Sequence, residues 1–536
     1  MIRSSFLPTL TRHRFDRRAD AGEGVRVHGF PVRLRRSLSI PALAAVIVAM
    51  AVVTPSTTRA SPPSPRDAAQ KNWVVAENLR AGTSRWRISP SAKRDIDGFA
   101  DKVSAQDGSR VTLYVDTSAD RFRVFAYRMG WYHGLGGRLV WKSHDVAGRN
   151  QSRPSVEPVT NMVETSWRPS VTVHIGSWPE GTYLFKLVSN ENDQSYVPFV
   201  IRDDRSRGHL MLQQQVATWQ AYNTWGGYSL YRGPDGGFAS RSRVVSFDRP
   251  YGGRGAAGLL NSLAFVVLAE RAGLDVTYST DLDLHTRPEL LTRHRALISL
   301  DHDEYWSTAM RDGATAARAD GVNFAVFGAN AIYRHIRIEA SPLGTHRRMV
   351  AYKRASEDPL FGVDNDEVTV NWRSPPLHDP ESELLGAMYE CNPVHADMVV
   401  ADAQSWVFAG TGMSDGDHIP GAVDMEYDRI FPDAPTPASI QVLAHSSLRC
   451  RDKARAADMT YYTARSGAGV FDAASQGWVK KIRCFDPVRS DTCDQRAVRI
   501  TLNVLRAVGA GPAGNAHPSV PNASSFGYVL TDPTDP

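Results

Sequence analysis

The apolar pattern changes period once along this chain, and that change constrains the fold more than any other feature. Within residues 104–203 the pattern alternates: Val111, Leu113 and Val115 interleave with Thr112, Tyr114 and Asp116, and Phe122, Val124 and Ala126 continue the period of two. Gly134-Leu135-Gly136-Gly137 makes a turn, and further short apolar segments lie at 171–175, 183–188 and 197–201. Short strands at this spacing, parted by Gly and Pro, predict a β-sandwich. After Arg207 the rhythm becomes strand, then helix. Residues 210–216 read as a buried strand. Leu259, Leu260, Leu263, Val266 and Val267 fall on one side of a helix that Gly273 ends. Residues 276–278 and 296–300 read as strands, Ser307 caps a helix running to about Asp320, and 322–327 is a strand ending at Gly328-Ala329-Asn330. Strands that alternate with helices predict a mostly parallel sheet.

The expected fold class is α/β plus all-β. A β-sandwich domain at 104–205 is followed by an α/β domain with a mostly parallel sheet at 206–515. Residues 61–103 form a linker and N-terminal segment that opens with Ser61-Pro62-Pro63-Ser64-Pro65. The pattern weakens from about Pro375, and 516–536, rich in Pro, Ser, Asn and Asp, reads as a loose tail. At 536 residues, 42% hydrophobic and 22% charged, the composition is that of a globular protein of two or three domains.

The net charge of +5 misleads. Residues 1–60 hold ten Arg against Asp16, Asp20 and Glu23, a balance of +7, which leaves about −2 for the rest. No basic face on the folded part is implied, so nucleic acid is not an expected partner. The basic segment itself reads as an export signal. Its basic region ends at Arg35-Arg36, an apolar stretch covers 38–53, and Thr58-Arg59-Ala60 precedes a cleavage point. The stretch is short for a membrane span, which limits membrane contact to a transient one through the leader. Arg35-Arg36-Ser37-Leu38 loosely fits a twin-arginine signal, with an ordinary Sec signal or an uncleaved anchor as the alternatives. The expected location is extracytoplasmic, secreted or in the cell envelope. Disulfides suit such a compartment. Of the four cysteines, Cys484 and Cys493 bracket a short loop and are the first expected pair, which leaves Cys391 with Cys450.

Several motifs compete for chemistry. Gly412-Met413-Ser414-Asp415-Gly416 matches Gly-x-Ser-x-Gly, but Asp417-His418-Ile419-Pro420-Gly421 is poor helix sequence where a nucleophile elbow needs a helix. Asp364-Asn365-Asp366-Glu367 is acidic but lacks the loop length and glycine of an EF-hand, so it reads as a solvated turn. The aromatic run from Thr218 to Tyr231 follows the first strand of the α/β part and reads as an irregular loop, either packing rings or a sugar-stacking surface. His302, Glu304 and Asn330 follow two strands adjacent in order. In an open α/β sheet ligands bind beyond the carboxyl ends of the strands. The three side chains converge there if the strands are neighbours. A purely structural His–Glu pair remains the alternative.

Taken in order, these pieces resemble one family. Gln220-Ala221-Tyr222-Asn223, Ser229-Leu230-Tyr231 with Asp235-Gly236, His302-Asp303-Glu304-Tyr305-Trp306-Ser307, and Gly328-Ala329-Asn330 before Tyr333 are similar to the large, catalytic subunit of N,N-dimethylformamidase and its relatives. Tyr127-Arg128-Met129-Gly130-Trp131-Tyr132 is similar to the domain those relatives carry before the α/β part. The resemblance implies a mononuclear non-haem iron, ferric, held by Tyr222, Tyr231 and Glu304, with His302 and Asn330 as the catalytic groups around it. The stretch between the two tyrosines is compressed, so Tyr228 is an alternative to Tyr231. Phenolate and carboxylate are hard oxygen ligands suited to such an ion. The expected function is hydrolysis of a small amide or related C–N bond, with a small amide-like molecule as the partner and a homo-oligomer left open. Two alternatives stand beside it: a non-catalytic envelope or glycan-binding protein with a degenerate site, using the sandwich and the aromatic loop around Trp225, and a hydrolase using Ser414.

Overall fold

Leu210-Met211-Leu212-Gln213-Gln214 is buried at every position, as a strand covered on both faces must be. It is β1 of a seven-stranded sheet. The others are β2 (Val276–Thr280), β3 (Ala296–Asp301), β4 (Asn323–Gly328), β5 (Gln441–Cys450), β6 (Lys453–Thr463) and β7 (Gly469–Asp472), arranged β2-β1-β3-β4-β7-β6-β5. The strands from β2 to β7 in that order run parallel, and β6 and β5 extend the edge in antiparallel fashion. The structure is a computed structural model; it describes residues 72–490 and 492–536. The expected export signal at 1–60 lies outside the described residues.

Helices cover both faces. Residues of α2 (Ala257–Arg271) and α4 (Gln495–Ala510) share one apolar core with the sheet, and Met310, Ala314 and Ala317 of α3 (Thr308–Ala319) share the other. The predicted ends of α3 hold: the Ser307 hydroxyl accepts from the Met310 N–H, and Gly321 takes a φ of +88° just beyond the last turn. The predicted first strand is too long. It stops at Gln214, and Val216–Tyr222 form a seven-residue helix, α1, where an irregular loop was expected. A helix of two turns is too short to display a 3.6-residue period, so its residues read as part of the loop beyond it.

Residues 96–201 supply antiparallel sheets. Ile96–Ala100, Arg110–Thr117 and Val171–His174 form one. Arg121–Met129, Gly181–Ser189 and Gln194–Ile201 lie in another. Alternate residues of both, among them Val111, Leu113, Val124, Phe185 and Phe199, close a shared core. The described chain is therefore mixed, α/β plus antiparallel β. The weak-signal region after Pro375 holds a long hairpin, Met388–Val399 with His418–Arg429, before the chain enters β5. The cysteines pair as expected, Cys391 with Cys450 and Cys484 with Cys493, at Cα separations of 6.4 and 4.9 Å. The tail is not loose. Pro533–Thr534 pairs with Thr436–Pro437, Asn522 exchanges two hydrogen bonds with the Val442 backbone, and the Tyr528 hydroxyl donates to Asp458 at 2.7 Å. Polar side chains that look like disorder in the sequence here serve as ties.

One ion pair joins the antiparallel part to the parallel sheet. Arg128 meets Glu270 of α2 at 2.5 Å, with both side chains fully buried. Glu270 also accepts from Tyr278 at 2.6 Å and Asn78 at 3.1 Å. Removing one partner of a buried pair strands the other charge, at a cost of about 3–5 kcal/mol. Glu270→Gln should lower the unfolding free energy by that amount in denaturant titrations. A loss no larger than that of an exposed pair would contradict the assigned role.

Candidate active site

The sheet reverses direction of growth at β1. The chain steps from β1 to β2 on one side and returns to β3 on the other, so the carboxyl ends of β1 and β3 form the switch point at which open α/β sheets bind ligands. The segment after β3 is fixed there by hydrogen bonds to β3 itself and to the segment around β1. Gln213 donates to Asp303 at 2.8 Å, as does Ser299, and the Thr218 hydroxyl of α1 accepts from the Glu304 N–H at 3.1 Å. Burial raises the Asp303 pKa to about 6 even though Ser299, Trp306 and Gln213 stabilise its charge. Gly328 ends β4 beneath this segment. A Cβ there would sit 1.8 Å from the Asp301 carbonyl oxygen, so glycine is what lets the two strand ends close together. Asn330 then takes a left-handed φ of +59°, which asparagine tolerates.

Two tyrosines converge on one carboxylate oxygen. Glu304 Oε2 accepts from the Tyr222 hydroxyl at 2.9 Å and from the Tyr231 hydroxyl at 2.5 Å. The two rings stack with centroids 4.3 Å apart. Tyr305 donates to the Tyr231 oxygen at 2.7 Å. Tyr228, the alternative second tyrosine, offers its backbone carbonyl to Arg249, and it is Tyr231 that reaches Glu304. Glu304 is 2% exposed. Burial alone would raise its pKa, but His302, with Lys353 and Arg334 adding, holds it well below the ordinary carboxylate range. Arg334 stands 3.3 Å from Oε1, delivered by a short parallel pairing of Tyr305 with Arg334. Lys353 is buried with its Nζ 3.2 Å from the Tyr231 ring centre, and burial pushes its pKa well down. Burial and the Glu304 charge raise both phenols well above 10.0, so without a cation they remain neutral donors.

His302 and Asn330 reach the same place from β3 and β4. His302 Nε2 lies 3.1 Å from the Tyr222 oxygen and 3.2 Å from Glu304. Its Nδ1 faces the Ala329 carbonyl at 3.3 Å and Glu426 at 3.7 Å. Burial would depress this imidazole, but Glu304 and Glu426 overcome it and raise the pKa to about 10. Asn330 Nδ2 donates to Glu426 at 2.8 Å, and Asn392 donates to the other Glu426 oxygen at 2.7 Å. All five residues singled out from the sequence thus lie close together: Tyr222, Tyr231, His302 and Glu304 share hydrogen bonds or short polar contacts, and Asn330 joins them through Glu426, 3.7 Å from His302. Sequence reasoning missed Glu426, Arg334 and Lys353. Tyr305 lies within a quoted motif and Arg334 adjoins one, whereas Glu426 sits on the long hairpin and Lys353 beyond the last legible strand, with no local pattern to mark either.

Tyr222, Tyr231, His302 and Glu426 face a cavity of about 530 Å³, which Trp219, Asn223 and Met425 also line. Tyr222 is 43% exposed at its rim. Among the described residues no group of three or more His, Cys, Asp or Glu is arranged to hold a metal ion, so a cation at this cavity would depend on tyrosine. The donor set fits a hard ion: two phenol oxygens and a carboxylate oxygen already meet, and the ion would supply the energy to remove the phenol protons.

The rival motifs are not built for chemistry. Ser414 lies in an exposed turn, and the chain runs from it into the strand His418–Arg429 rather than into a helix. Asp364–Glu367 is an exposed to half-buried turn. Trp225 is half-buried, its Nε1 donating to Asp97 at 3.0 Å and its ring at nearly a right angle to that of Trp167.

No curated protein matches the chain. One solved structure, the Pseudomonas fluorescens alkylpurine DNA glycosylase AlkC bound to DNA containing an abasic site analog, is similar at 10% identity with a TM-score of 0.14, over 26% of this chain and 36% of that one. This chain thus spans about a third of that structure's length, and likeness at this level carries no argument. A family model described as N,N-dimethylformamidase beta subunit-like, C-terminal, matches residues 123–494, more than half of the 536 residues and the whole of the cluster above. The chain belongs to the N,N-dimethylformamidase beta subunit-like family.

Proposed function

We propose that the chain is an exported hydrolase that cleaves a small amide or related C–N bond at a mononuclear ferric, non-haem iron held by Tyr222, Tyr231 and Glu304. The observation that carries this reading is the meeting of two phenol hydroxyls on one buried carboxylate oxygen at a cavity wall. Membership of the family makes a hydrolase role the natural one. A bound ferric ion supplies Lewis-acid polarisation of the amide carbonyl and a lowered pKa for water.

The chain's own residues supply the rest. Glu426, with both oxygens held by Asn330 and Asn392, stands at the cavity wall to take a proton from the attacking water. Asn330 uses one amide hydrogen on Glu426 and keeps a second for the oxyanion that forms as water adds to the carbonyl carbon. His302, held at Nδ1 by the Ala329 carbonyl and at Nε2 beside Tyr222 and Glu304, passes its Nε2 proton to the departing nitrogen as the C–N bond breaks. The products are a carboxylic acid and an amine. The two disulfides support an extracytoplasmic location. No described helix is long and apolar enough to cross a membrane.

Protein purified from iron-supplied cells should contain stoichiometric iron, and Tyr222→Phe, Tyr231→Phe and Glu304→Gln should each lose most of it by metal analysis. Iron-free wild-type protein from such cells would refute the assignment. Glu426→Gln should retain iron yet lower kcat for amide cleavage about 100-fold, the scale of a lost general base. Unchanged turnover in that variant would remove Glu426 from the reaction.

A further inference from the structure

We infer that the substrate is an amide whose end remote from the scissile bond carries a carboxylate, seated in a second cavity that adjoins the first. The inference rests on the hydrolase reading and narrows its substrate. The cavity at Tyr222 and His302 encloses about 530 Å³, the room that a ligand of drug size fills. An amide of a handful of heavy atoms would leave most of it to water. A second cavity of about 430 Å³ shares Ala256, Ala257 and Asn261 with the first. The two therefore adjoin at the start of α2, and a ligand longer than a simple formamide extends from one into the other.

The second cavity is cationic. Arg87, Arg254 and Arg489 line it, and none makes an ion pair with an acid among the described residues. Arg254 is pinned by the carbonyls of Ala92, Lys93 and Gln194, neutral acceptors that leave its charge in place. Arg87 lies over the Trp86 ring, 5.6 Å from its centre, and donates to the Pro487 carbonyl. Asp486, three residues before Arg489, stands 3.7 Å from Arg483 and is near enough to Arg489 to feel its charge without forming an ion pair with it. An anionic group is attracted to these guanidiniums, which places the oxyanion in the second cavity while the scissile amide lies at His302. Guanidinium forks match a carboxylate with two parallel hydrogen bonds.

Calorimetric titration of the iron-loaded full chain with 6-formamidohexanoate and with neutral N-hexylformamide, at low salt, tests this directly. The carboxylate probe should bind about tenfold more tightly, the worth of one charge-assisted hydrogen bond. Arg489→Ala and Arg87→Ala should each bring that ratio toward one. A ratio near one in the unaltered chain, absence of binding by either probe, or a ratio unchanged in both variants would overturn the inference. Turnover separates it from the reading beneath it. Preferred binding of the carboxylate probe with no cleavage of either probe, or of N,N-dimethylformamide, would sink the hydrolase and leave the subsite. Cleavage of both formamides at equal kcat/KM would sink the subsite and leave the hydrolase.

Discussion

One buried oxygen organises this molecule's chemistry. Glu304 Oε2 receives two phenol hydroxyls and faces the His302 imidazole, all within 3.2 Å. A lone buried carboxylate would be driven toward its neutral form. Here His302, Lys353 and Arg334 reverse that tendency, and the carboxylate stays ionised. The site is thus a cluster of polar groups that support one another, strongest at the buried Glu304 carboxylate. The same electrostatics set its capacity for a cation. The phenols are neutral only while no greater positive charge stands beside them.

The fold exists to bring these groups together from distant parts of the chain. Tyr222 ends the helix that follows β1, Tyr231 comes from the loop beyond it, Glu304 and His302 follow β3, and Asn330 follows β4. Parallel pairing of β1, β3 and β4 aligns their carboxyl ends. The absence of a side chain at Gly328 lets the last two ends approach, and the left-handed turn at Asn330 brings its amide to Glu426. The hairpin at Met388–Arg429 then closes the cavity from the other side with Glu426 and Asn392. Its disulfide from Cys391 to Cys450 ties it to the edge of the sheet.

What the sequence made legible depends on which forces are local. Apolar patterns marked α2, β3 and β4, and Ser307 and Gly321 marked the ends of α3, because capping and burial patterns are written in neighbouring residues. Glu304, His302 and Asn330 lie beside those legible elements and could be found with them, whereas Tyr222 and Tyr231 were marked only by the family resemblance. Helix α1 could not, since seven residues hold too few turns for a period to emerge. Glu426 and Lys353 owe their positions to long-range packing of a hairpin and a loop, and nothing near them in the chain announces it. The tail misled for the same reason. Asn522 and Tyr528 look like solvated residues until Val442 and Asp458, some 80 and 70 residues away, meet them.

The account stands on both phenol oxygens and the Glu304 oxygen gripping one cation. Resonance Raman spectra excited in the visible band of the iron-loaded chain address that grip itself. The expected result is enhancement of tyrosinate ring vibrations, reduced but still present in Tyr222→Phe protein that has been reloaded with iron in excess, because Tyr231 remains. Iron-loaded protein that shows no enhanced tyrosinate modes at any visible wavelength would contradict the account.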